Sequence, residues 1–309
     1  MDSLNNKKVQ IHHHQQQHHN KKDKIIVVLG ATGTGKSRLS IDLAARYFPS
    51  EVINSDKIQV YKGLDITTNK IPHHERLSVP HHLLGEFDSE DGELTPSEYR
   101  KTASLVIEDI LSRHRIPMIV GGSNSLIHAL LSDRFVPELD VFNDPNSCIS
   151  SELRYDCCFL WVDVGVKVLY QYIRRRVDDM FDSGMLEELI EYYESEPELT
   201  QSESIERVGI KKAIGLPEFE EYFLRGNGTM DAQLKKDLAE AIKINTWTLV
   251  ERQLEKIQRL IEAGWDIRRL DATDAFRAVL VADSDKYSDM WQKKVLVPSV
   301  KIVKRFLEE

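Results

Sequence analysis

The residues with the clearest chemical potential form the octet GATGTGKS at positions 30–37. The octet fits the phosphate-binding pattern G-x-x-x-x-G-K-[ST], and it stands between an apolar run and a helix-like segment. Gly30 and Gly35 let the backbone turn so that successive N–H groups point inward at an anion. Lys36 would reach the terminal phosphates, and Ser37 would ligate a Mg²⁺ ion shared with them. The loop alone leaves the reaction open, because kinases, NTPases, switches and other transferases all use it.

Two polar stretches shortly after the loop could work beside it. Asp56 follows the apolar run 51–54 and could ligate Mg²⁺ through water, cap a helix that begins near Lys57 or act as a general base. Lys70 ends the turn 65–70, whose hydroxyls and ammonium group could contact a phosphate or form a solvated loop. Position alone does not choose among these roles.

A glycine pair after another apolar run marks a third candidate stretch. Gly121 and Gly122 end that run, and Ser123 or Asn124 can cap the helix that follows. No acidic residue follows the run, so the aspartate that holds magnesium in many NTPases is missing at this place. This absence weighs against a motor or NTPase function.

The fourth stretch is the arginine triplet 174–176, closely followed by Asp178 and Asp179. Three adjacent residues spread around most of a helix, so only one or two of the arginines can face a binding site. The alternative is a solvated, charged helix face.

Parallel strands are the elements that would bring these stretches together. Four β-prone runs alternate with helical segments along the first half of the chain. The runs are 25–29, 51–54, 116–120 and 157–162, and the helices are 95–114, with Thr95 and Glu98 as a capping box, and 125–131. This alternation predicts an α/β fold: a P-loop NTPase-like parallel sheet flanked by helices, with ligands at the carboxyl ends of the strands.

Periodicity and composition divide the chain into four predicted parts. Residues 1–24 form a polar, His/Gln-rich tail that we expect to be disordered. The P-loop α/β core covers 25–165, a mainly helical subdomain covers 166–265, and a C-terminal segment that returns to the core covers 266–309.

Charge and composition narrow the possible partners. A net charge of −9 argues against a protein that coats nucleic acid through bulk charge, so no stable nucleic-acid partner is expected. Three cysteines fit neither a disulfide framework nor a zinc site, which favours a reducing compartment. No uninterrupted apolar run is long enough for a membrane helix, and no signal-peptide pattern is visible. We expect a cytoplasmic monomer.

Six motifs, in order and spacing, resemble those of the isopentenyltransferases. They are GATGTGKS, NSDKIQVYKGLDITTNK, VPHHLLGEF, IVGGSNSLIHALL, RRRVDDMFDSGMLEE and AIGLPEF. The resemblance runs from about residue 24 to the end of the chain. It implies transfer of a dimethylallyl group from dimethylallyl diphosphate to the exocyclic amine of adenine.

The resemblance is greatest to the plant adenylate branch of that family. RYDCCFLWVD at 154–163, VGGSNS and AIGLPEF favour a free adenine nucleotide, AMP, ADP or ATP, over the adenine of a tRNA anticodon loop. This branch catalyses the first step of cytokinin biosynthesis. Because related plant enzymes occupy more than one compartment, a plastid location is the alternative to the cytoplasm.

The resemblance also implies roles for the candidate residues. The P-loop would hold the diphosphate leaving group, with Lys36 and Thr34 as catalytic residues and Mg²⁺ on Ser37. Asp56 would be the general base that accepts the amine proton. The implied phosphate- and nucleotide-binding set is Gly30, Ala31, Thr32, Gly33, Thr34, Gly35, Lys36, Ser37, Lys70, Ser123, Asn124, Arg176, Lys211 and Lys212.

The contacts to the phosphates of the acceptor are the least defined. Pro217 replaces the basic residue usual in the last motif, and Lys211 and Lys212 are its nearest substitutes. Arg207 and Arg154 are further candidates.

Three other functions remain open at this point. A tRNA dimethylallyltransferase shares the motifs, and a small-molecule or nucleotide kinase would be favoured by the P-loop, the acid and the arginine triplet taken alone. A nucleotide-dependent switch is the non-enzymatic alternative, which the missing acid disfavours.

Overall fold

Six strands form one parallel sheet within the residues that a computed structural model describes, which are 22–144, 147–195, 207–224 and 231–309. The order across the sheet is β3-β2-β4-β1-β5-β6, and every neighbouring pair is parallel. The strands are β1 (Lys24–Leu29), β2 (Ser50–Asn54), β3 (His81–His82), β4 (Ile116–Gly121), β5 (Asp156–Asp163) and β6 (Ile267–Asp271).

Both faces of the sheet are buried, as β1 shows. Ile25, Val27 and Leu29 pack into one hydrophobic core, whereas the alternate residues Ile26 and Val28 pack into a second core on the opposite face. A parallel sheet needs such two-sided cover because its crossover helices lie on its faces. The predicted class, a P-loop NTPase-like sheet flanked by helices, is confirmed.

Helices cover the two faces and make up most of the second half of the described chain. They are α1 (Lys36–Arg46), α2 (Pro96–Ser112), α3 (Asn124–Leu131), α4 (Val166–Asp182), α5 (Met185–Ser195), α6 (Leu216–Leu224), α7 (Ala232–Glu262), α8 (Thr273–Leu280), α9 (Ser284–Trp291) and α10 (Val297–Glu308). The predicted capping box of α2 is present, because Thr95 accepts from the N–H of Glu98 and the Glu98 carboxylate accepts from the N–H of Thr95. In the described ranges, no helix is both long and apolar enough to cross a membrane.

The sheet is wider than the sequence predicts. β3 consists of two histidines, and three of the five residues of β6, with the sequence IRRLD, are charged, so neither strand gives the apolar run that marks the others. Lys24, which the prediction placed in the N-terminal tail, is the first residue of β1. The rest of that predicted tail lies outside the described residues except for Lys22 and Asp23.

The order of the strands places an opening beside the end of β1. From β1 the chain crosses through α1 to β2 on one side, and from β4 it crosses back over β1 to reach β5 on the other side. Ligands of open α/β sheets bind where the direction of winding reverses, outside the carboxyl ends of the strands. The loop after β1 lies at this point.

Candidate active site

A cavity of about 1110 Å³ opens at the carboxyl ends of the central strands. Ligand pockets in proteins measure about 300–1,000 Å³, so this cavity is at the upper end of that range. The cavity is lined by five P-loop residues together with Asp56, Lys70, Gly121, Gly122, Arg176 and Gln253. Stretches that are far apart in the sequence therefore meet in one place, as the motif analysis predicts.

The P-loop connects β1 to α1, and two of its glycines adopt the left-handed backbone conformation. Gly33 has φ +81° and Gly35 has φ +93°. A Cβ on Gly33 would stand 2.6 Å from Cδ1 of Ile173 in α4, and one on Gly35 would stand 2.8 Å from the ring of Trp291 in α9. The loop is thus enclosed by helices from the second half of the chain. The N-terminus of α1, which follows the loop, favours an anion in the cavity.

Lys36 is held against the loop itself. Its Nζ donates to the carbonyl oxygen of Ala31 at 2.8 Å, and the buried hydroxyl of Thr34 donates to the same oxygen at 2.9 Å. Burial lowers the pKa of Lys36 to about 8; the negative charge of Asp56 opposes this shift, and the positive charge of Arg176 adds to it. Thr34 therefore lies inside the loop and supports Lys36, while Lys36 lines the cavity.

Arg176 is the member of the arginine triplet that faces the cavity. Its Nη2 donates to the hydroxyl of Thr32 at 3.1 Å, and its Nε is shielded from solvent without a hydrogen-bond partner among the described residues. Arg174 instead pairs with Glu240 of α7 at 2.6 Å, and Arg175 donates to the carbonyl of Val279. The choice of Arg176 from the family pattern agrees with this geometry.

Asp56 lies between the end of β2 and the cavity. Its Oδ1 accepts from the N–H groups of Ile58 at 2.9 Å and Gln59 at 3.2 Å, so the carboxylate caps the turn that follows it. No hydrogen bond to its Oδ2 is found within the described ranges, which leaves that oxygen for a ligand. The capping role and a role in proton transfer are therefore compatible.

The glycine pair after β4 lets the Asp56 loop approach closely. A Cβ on Gly121 would stand 1.9 Å from the carbonyl oxygen of Ser55, and the N–H of Ser123 donates to that oxygen at 3.1 Å. Only a residue without a side chain fits at Gly121. The motif VGGSNS thus contacts the backbone of Ser55, next to the base candidate.

Lys70 is carried by a turn that two side chains hold. Glu188 of α5 accepts from the N–H groups of Ile66 and Thr67 at 3.0 and 2.7 Å, and Gln59 donates to the carbonyl of Thr68 at 2.9 Å. The Lys70 side chain is only 4% exposed, and its Nζ contacts a carboxylate oxygen of Asp65 at 2.8 Å. The turn is therefore ordered by contacts, and the solvated-loop alternative is not what the structure shows.

Several candidates for nucleotide contacts do not reach the cavity. Ser123 and Asn124 lie behind the glycine pair, where Asn124 is 1% exposed and its Nδ2 donates to the backbone carbonyl of Gln253 at 3.1 Å. Lys211 and Lys212 lie in a 3₁₀ turn that is not part of the cavity wall, and Lys212 forms an ion pair with Glu93.

Arg154 and Arg207 are also engaged elsewhere. Arg154 comes just before β5, at the amino end of the sheet, and donates to Ser104 at 3.0 Å and to the carbonyl of Leu130 at 3.1 Å. The P-loop lies at the opposite, carboxyl end, so Arg154 is too far away to contact a nucleotide there. Arg207 forms an ion pair with Glu220.

Three glutamine or glutamate residues that the motif analysis did not select shape the site. Gln59 joins the Asp56 turn to the Lys70 turn, Glu188 holds the Lys70 turn from α5, and Gln253 of α7 accepts from the N–H of Thr32 at 2.7 Å. Gln59 and Glu188 stand inside the quoted motifs. Gln253 stands alone in a long helix and gives no local signal.

The residues present fit a magnesium ion that arrives with a phosphate ligand. Ser37 is exposed in the first turn of α1 and lines the cavity. The described ranges contain no group of three His, Cys, Asp or Glu residues that could hold a metal by themselves. Mg²⁺ in phosphate-transfer sites keeps several water ligands and binds phosphate oxygens of the substrate, so Ser37 would be a protein ligand of an ion that arrives with the phosphate.

Two cations and a carboxylate thus line the same cavity. Lys36 and Arg176 can stabilise a phosphorylated leaving group, while Asp56 can accept a proton from a nucleophile. This arrangement suits the transfer of a group from a phosphate ester to an acceptor whose proton must be removed.

Comparison with known proteins identifies relatives over nearly the whole chain. A family model described as IPP transferase matches residues 59–149 and 140–259. An adenylate isopentenyltransferase of Humulus lupulus is 55% identical over 296 residues, which cover 91% of this chain and 90% of that protein. Adenylate isopentenyltransferase 1 of Arabidopsis thaliana, named as chloroplastic, is 53% identical over 294 residues, which cover 92% of this chain and 81% of that protein.

A solved structure resembles the fold with lower sequence identity. It is a eukaryotic dimethylallyltransferase acting on tRNA, with a TM-score of 0.75 and 26% identity, covering 93% of this chain and 80% of the other. The two chains therefore share a fold, and the adenylate proteins are nearer to this chain in sequence.

Proposed function

The chain belongs to the isopentenylpyrophosphate transferase family, and from this premise we infer that it is a prenyltransferase acting on free adenine nucleotides. It transfers the dimethylallyl group of dimethylallyl diphosphate to the exocyclic amine of the nucleotide, a step of cytokinin synthesis. The observation that carries this function is the placement of Asp56 in the same cavity as Lys36 and Arg176.

The P-loop binds the diphosphate that leaves, not a phosphate that is transferred. In the reaction the bond between the prenyl C1 and the diphosphate oxygen breaks, and its electron pair stays on the diphosphate. Lys36 and Arg176, both removed from water, stabilise that charge more strongly than solvated groups would. Mg²⁺ on Ser37 would supply further positive charge to the same oxygens.

The second half of the reaction forms a carbon–nitrogen bond. The adenine amine attacks C1 of the prenyl group, and its proton moves to Oδ2 of Asp56. Because the amine lone pair is delocalised into the ring, removal of the proton during attack raises its reactivity. The hydrogen bonds from Ile58 and Gln59 to Oδ1 hold the carboxylate in place for this transfer.

A radiolabel assay tests the proposal. Purified protein, Mg²⁺ and labelled dimethylallyl diphosphate are incubated in parallel with AMP, ADP, ATP and an unmodified tRNA anticodon stem-loop. Label in the free nucleotides supports the function and ranks the acceptors. Label in the stem-loop alone would assign the chain to the tRNA-modifying enzymes, as the structural neighbour suggests for its own reaction.

The kinase alternative is tested in the same experiment without the prenyl donor. A kinase would move the terminal phosphate of ATP to a hydroxyl or phosphate acceptor and would need no dimethylallyl diphosphate. Phosphoryl transfer together with no prenyl transfer would overturn the proposal.

For the place of action we propose the plastid. Relatives at 53% and 47% identity carry the word chloroplastic in their names, which supports this proposal over the cytoplasmic location suggested by the polar N-terminus. A fluorescent fusion of the full chain, compared with one that lacks residues 1–21, distinguishes the two. Fluorescence that stays in the cytosol with the full chain would contradict a plastid location.

A further inference from the structure

Gln253 connects the longest described helix, α7, to the P-loop. Its side chain is 7% exposed, and its Oε1 accepts from the backbone N–H of Thr32 at 2.7 Å across 221 residues of sequence. The residue also lines the cavity. An uncharged side chain that is buried in this way, and bonded to the backbone of a catalytic loop, has a defined orientation.

The loop after β4 is built around the same glutamine. A Cβ on Gly122 would stand 2.3 Å from Nε2 of Gln253, so the amide keeps this position only beside a residue without a side chain. Asn124 donates from its side chain to the backbone carbonyl of Gln253 at 3.1 Å. Gln253 therefore lies where the P-loop, the glycine pair and α7 meet.

The peptide unit between Ala31 and Thr32 is held at both ends. Its N–H donates to Gln253, and its carbonyl oxygen accepts from Lys36 Nζ and from the Thr34 hydroxyl. A rotation of this peptide unit would remove the acceptor to which the Lys36 ammonium group is anchored. The hydrogen bond from Thr32 to Gln253 opposes that rotation.

We propose that Gln253 is a positioning residue of the prenyl-donor site. It fixes the Ala31–Thr32 peptide unit, and the carbonyl oxygen of Ala31 in turn holds the ammonium group of Lys36. The proposal rests on the proposed function in one respect, that the anion in the P-loop is the diphosphate of the donor. Gln253 does not take part in proton transfer, so its effect concerns donor binding and not the acceptor.

The test uses Gln253→Met, which keeps the length of the side chain and removes the acceptor. We expect binding of inorganic diphosphate, measured by calorimetry with Mg²⁺, to weaken about tenfold. The KM for dimethylallyl diphosphate should rise by a similar factor, while the KM for the adenine nucleotide stays within about twofold. The matched control is Gln258→Met on the same helix, where the amide is exposed and donates only to Glu262.

A second variant covers the case in which Gln253→Met does not fold. Gln253→Glu retains an oxygen for the Thr32 N–H and adds a negative charge beside the bound anion. The buried charge should lower the melting temperature, and the folded variant should bind diphosphate more weakly with a smaller effect on nucleotide binding. Diphosphate affinity equal to that of the wild type in a folded Gln253→Met protein, or an equal rise of both KM values, would overturn the proposal.

The diphosphate titration also separates this inference from the proposed function. A wild-type protein that binds diphosphate but transfers no prenyl group would refute the function alone. The effect of Gln253→Met on diphosphate affinity would still decide whether Gln253 positions the loop.

Discussion

The guanidinium group of Arg176 donates a hydrogen bond of 3.1 Å to the hydroxyl of Thr32, which joins α4 to the P-loop. Within the described ranges its Nε has no partner, although burial hides it from water. A buried cation with a spare donor is costly unless an anion or acceptor accompanies it. The diphosphate of the proposed prenyl donor would supply such an anion, and its binding would remove that cost.

Gly33→Ala should weaken the contact of Arg176 with the P-loop. Gly33 and Gly63 both have positive φ, +81° and +72°, so alanine costs about 1–2 kcal/mol of backbone strain at either position. Only at Gly33 would the new methyl group meet neighbours, which are Cδ1 of Ile173 at 2.6 Å and Nη1 of Arg176 at 3.6 Å, so the Ile173 side chain must shift beside Arg176. We expect the KM for the prenyl donor to rise at least tenfold in Gly33→Ala and to stay unchanged in Gly63→Ala. Equal kinetics in the two variants would show that α4 does not control the loop.

Asp56→Asn should separate the two roles of this side chain. The amide oxygen can still accept from Ile58 and Gln59, so the turn and the melting temperature should be preserved. The amide cannot accept the amine proton, so kcat should fall by about 10²–10⁴. Single-turnover transfer of labelled prenyl groups measures this directly. A kcat close to that of the wild type would exclude Asp56 as the base.

The rate should fall at alkaline pH because Lys36 loses its charge. Burial lowers the pKa of Lys36 to about 8, with Asp56 and Arg176 as the charged groups that act on it. A lysine is charged below its pKa, so the charge is present at pH 7 and is lost as pH rises through about 8. We expect kcat/KM for the prenyl donor to decline above that pH. Arginine keeps its charge at this pH. If kcat/KM of Lys36→Arg also declined above about pH 8, the decline would be due to the titration of another group.

Glu51→Gln should destabilise the fold without affecting the site. The Glu51 side chain is 3% exposed and pairs with Arg113, with Arg115 at 2.9 Å and with His82 at 2.8 Å. These partners lower its pKa from 4.5 to about 2, with the hydrogen bonds from Arg113 as the largest cause. Removing one member of a buried ionic cluster costs about 3–5 kcal/mol, so the loss of unfolding free energy at pH 7 should approach 3 kcal/mol.

The pH dependence of the unfolding free energy provides a control for the Glu51→Gln prediction. A carboxyl group with a lowered pKa stabilises the folded state above its unfolded value of 4.5 and loses this effect as pH falls towards 2. In urea unfolding, the difference in unfolding free energy between the wild type and Glu51→Gln should therefore become smaller below pH 4.5. Glu108 is exposed, so Glu108→Gln should have the unfolding free energy of the wild type at every pH. If the difference in unfolding free energy between the wild type and Glu51→Gln did not depend on pH, packing and not charge would explain the lower stability of the variant.

Much of the sheet could be predicted because its central strands are buried on both faces. Such strands read as apolar runs, and all four predicted runs are strands of the structure. β6 was missed because it lies at the edge, where Arg268 and Arg269 remain exposed and the apolar signal disappears. β3 was missed because two residues are too few to form a pattern.

The site could be predicted where function is encoded by neighbouring residues. The P-loop, the Asp56 turn and Arg176 meet in the cavity as the motifs indicate. The resemblance implies ligand contacts for Ser123 and Asn124, which are not part of the cavity wall. The role of Gly121 could not be predicted, because it depends on a close approach of Ser55, which is distant in sequence. Gln253 could not be found from sequence, because its partner is a backbone group far away in the chain.

The enclosure of the P-loop by late parts of the chain has a consequence for biosynthesis. A ribosome makes the loop early, but Gln253 is added 221 residues after Thr32, and Trp291, which donates to Asp42 of α1, is added 249 residues after its partner. Proteins fold in part while they are being made, from the N-terminus onward. A nascent chain therefore carries an incomplete donor site until the last helices emerge, and fragments truncated within them should not acquire the finished loop.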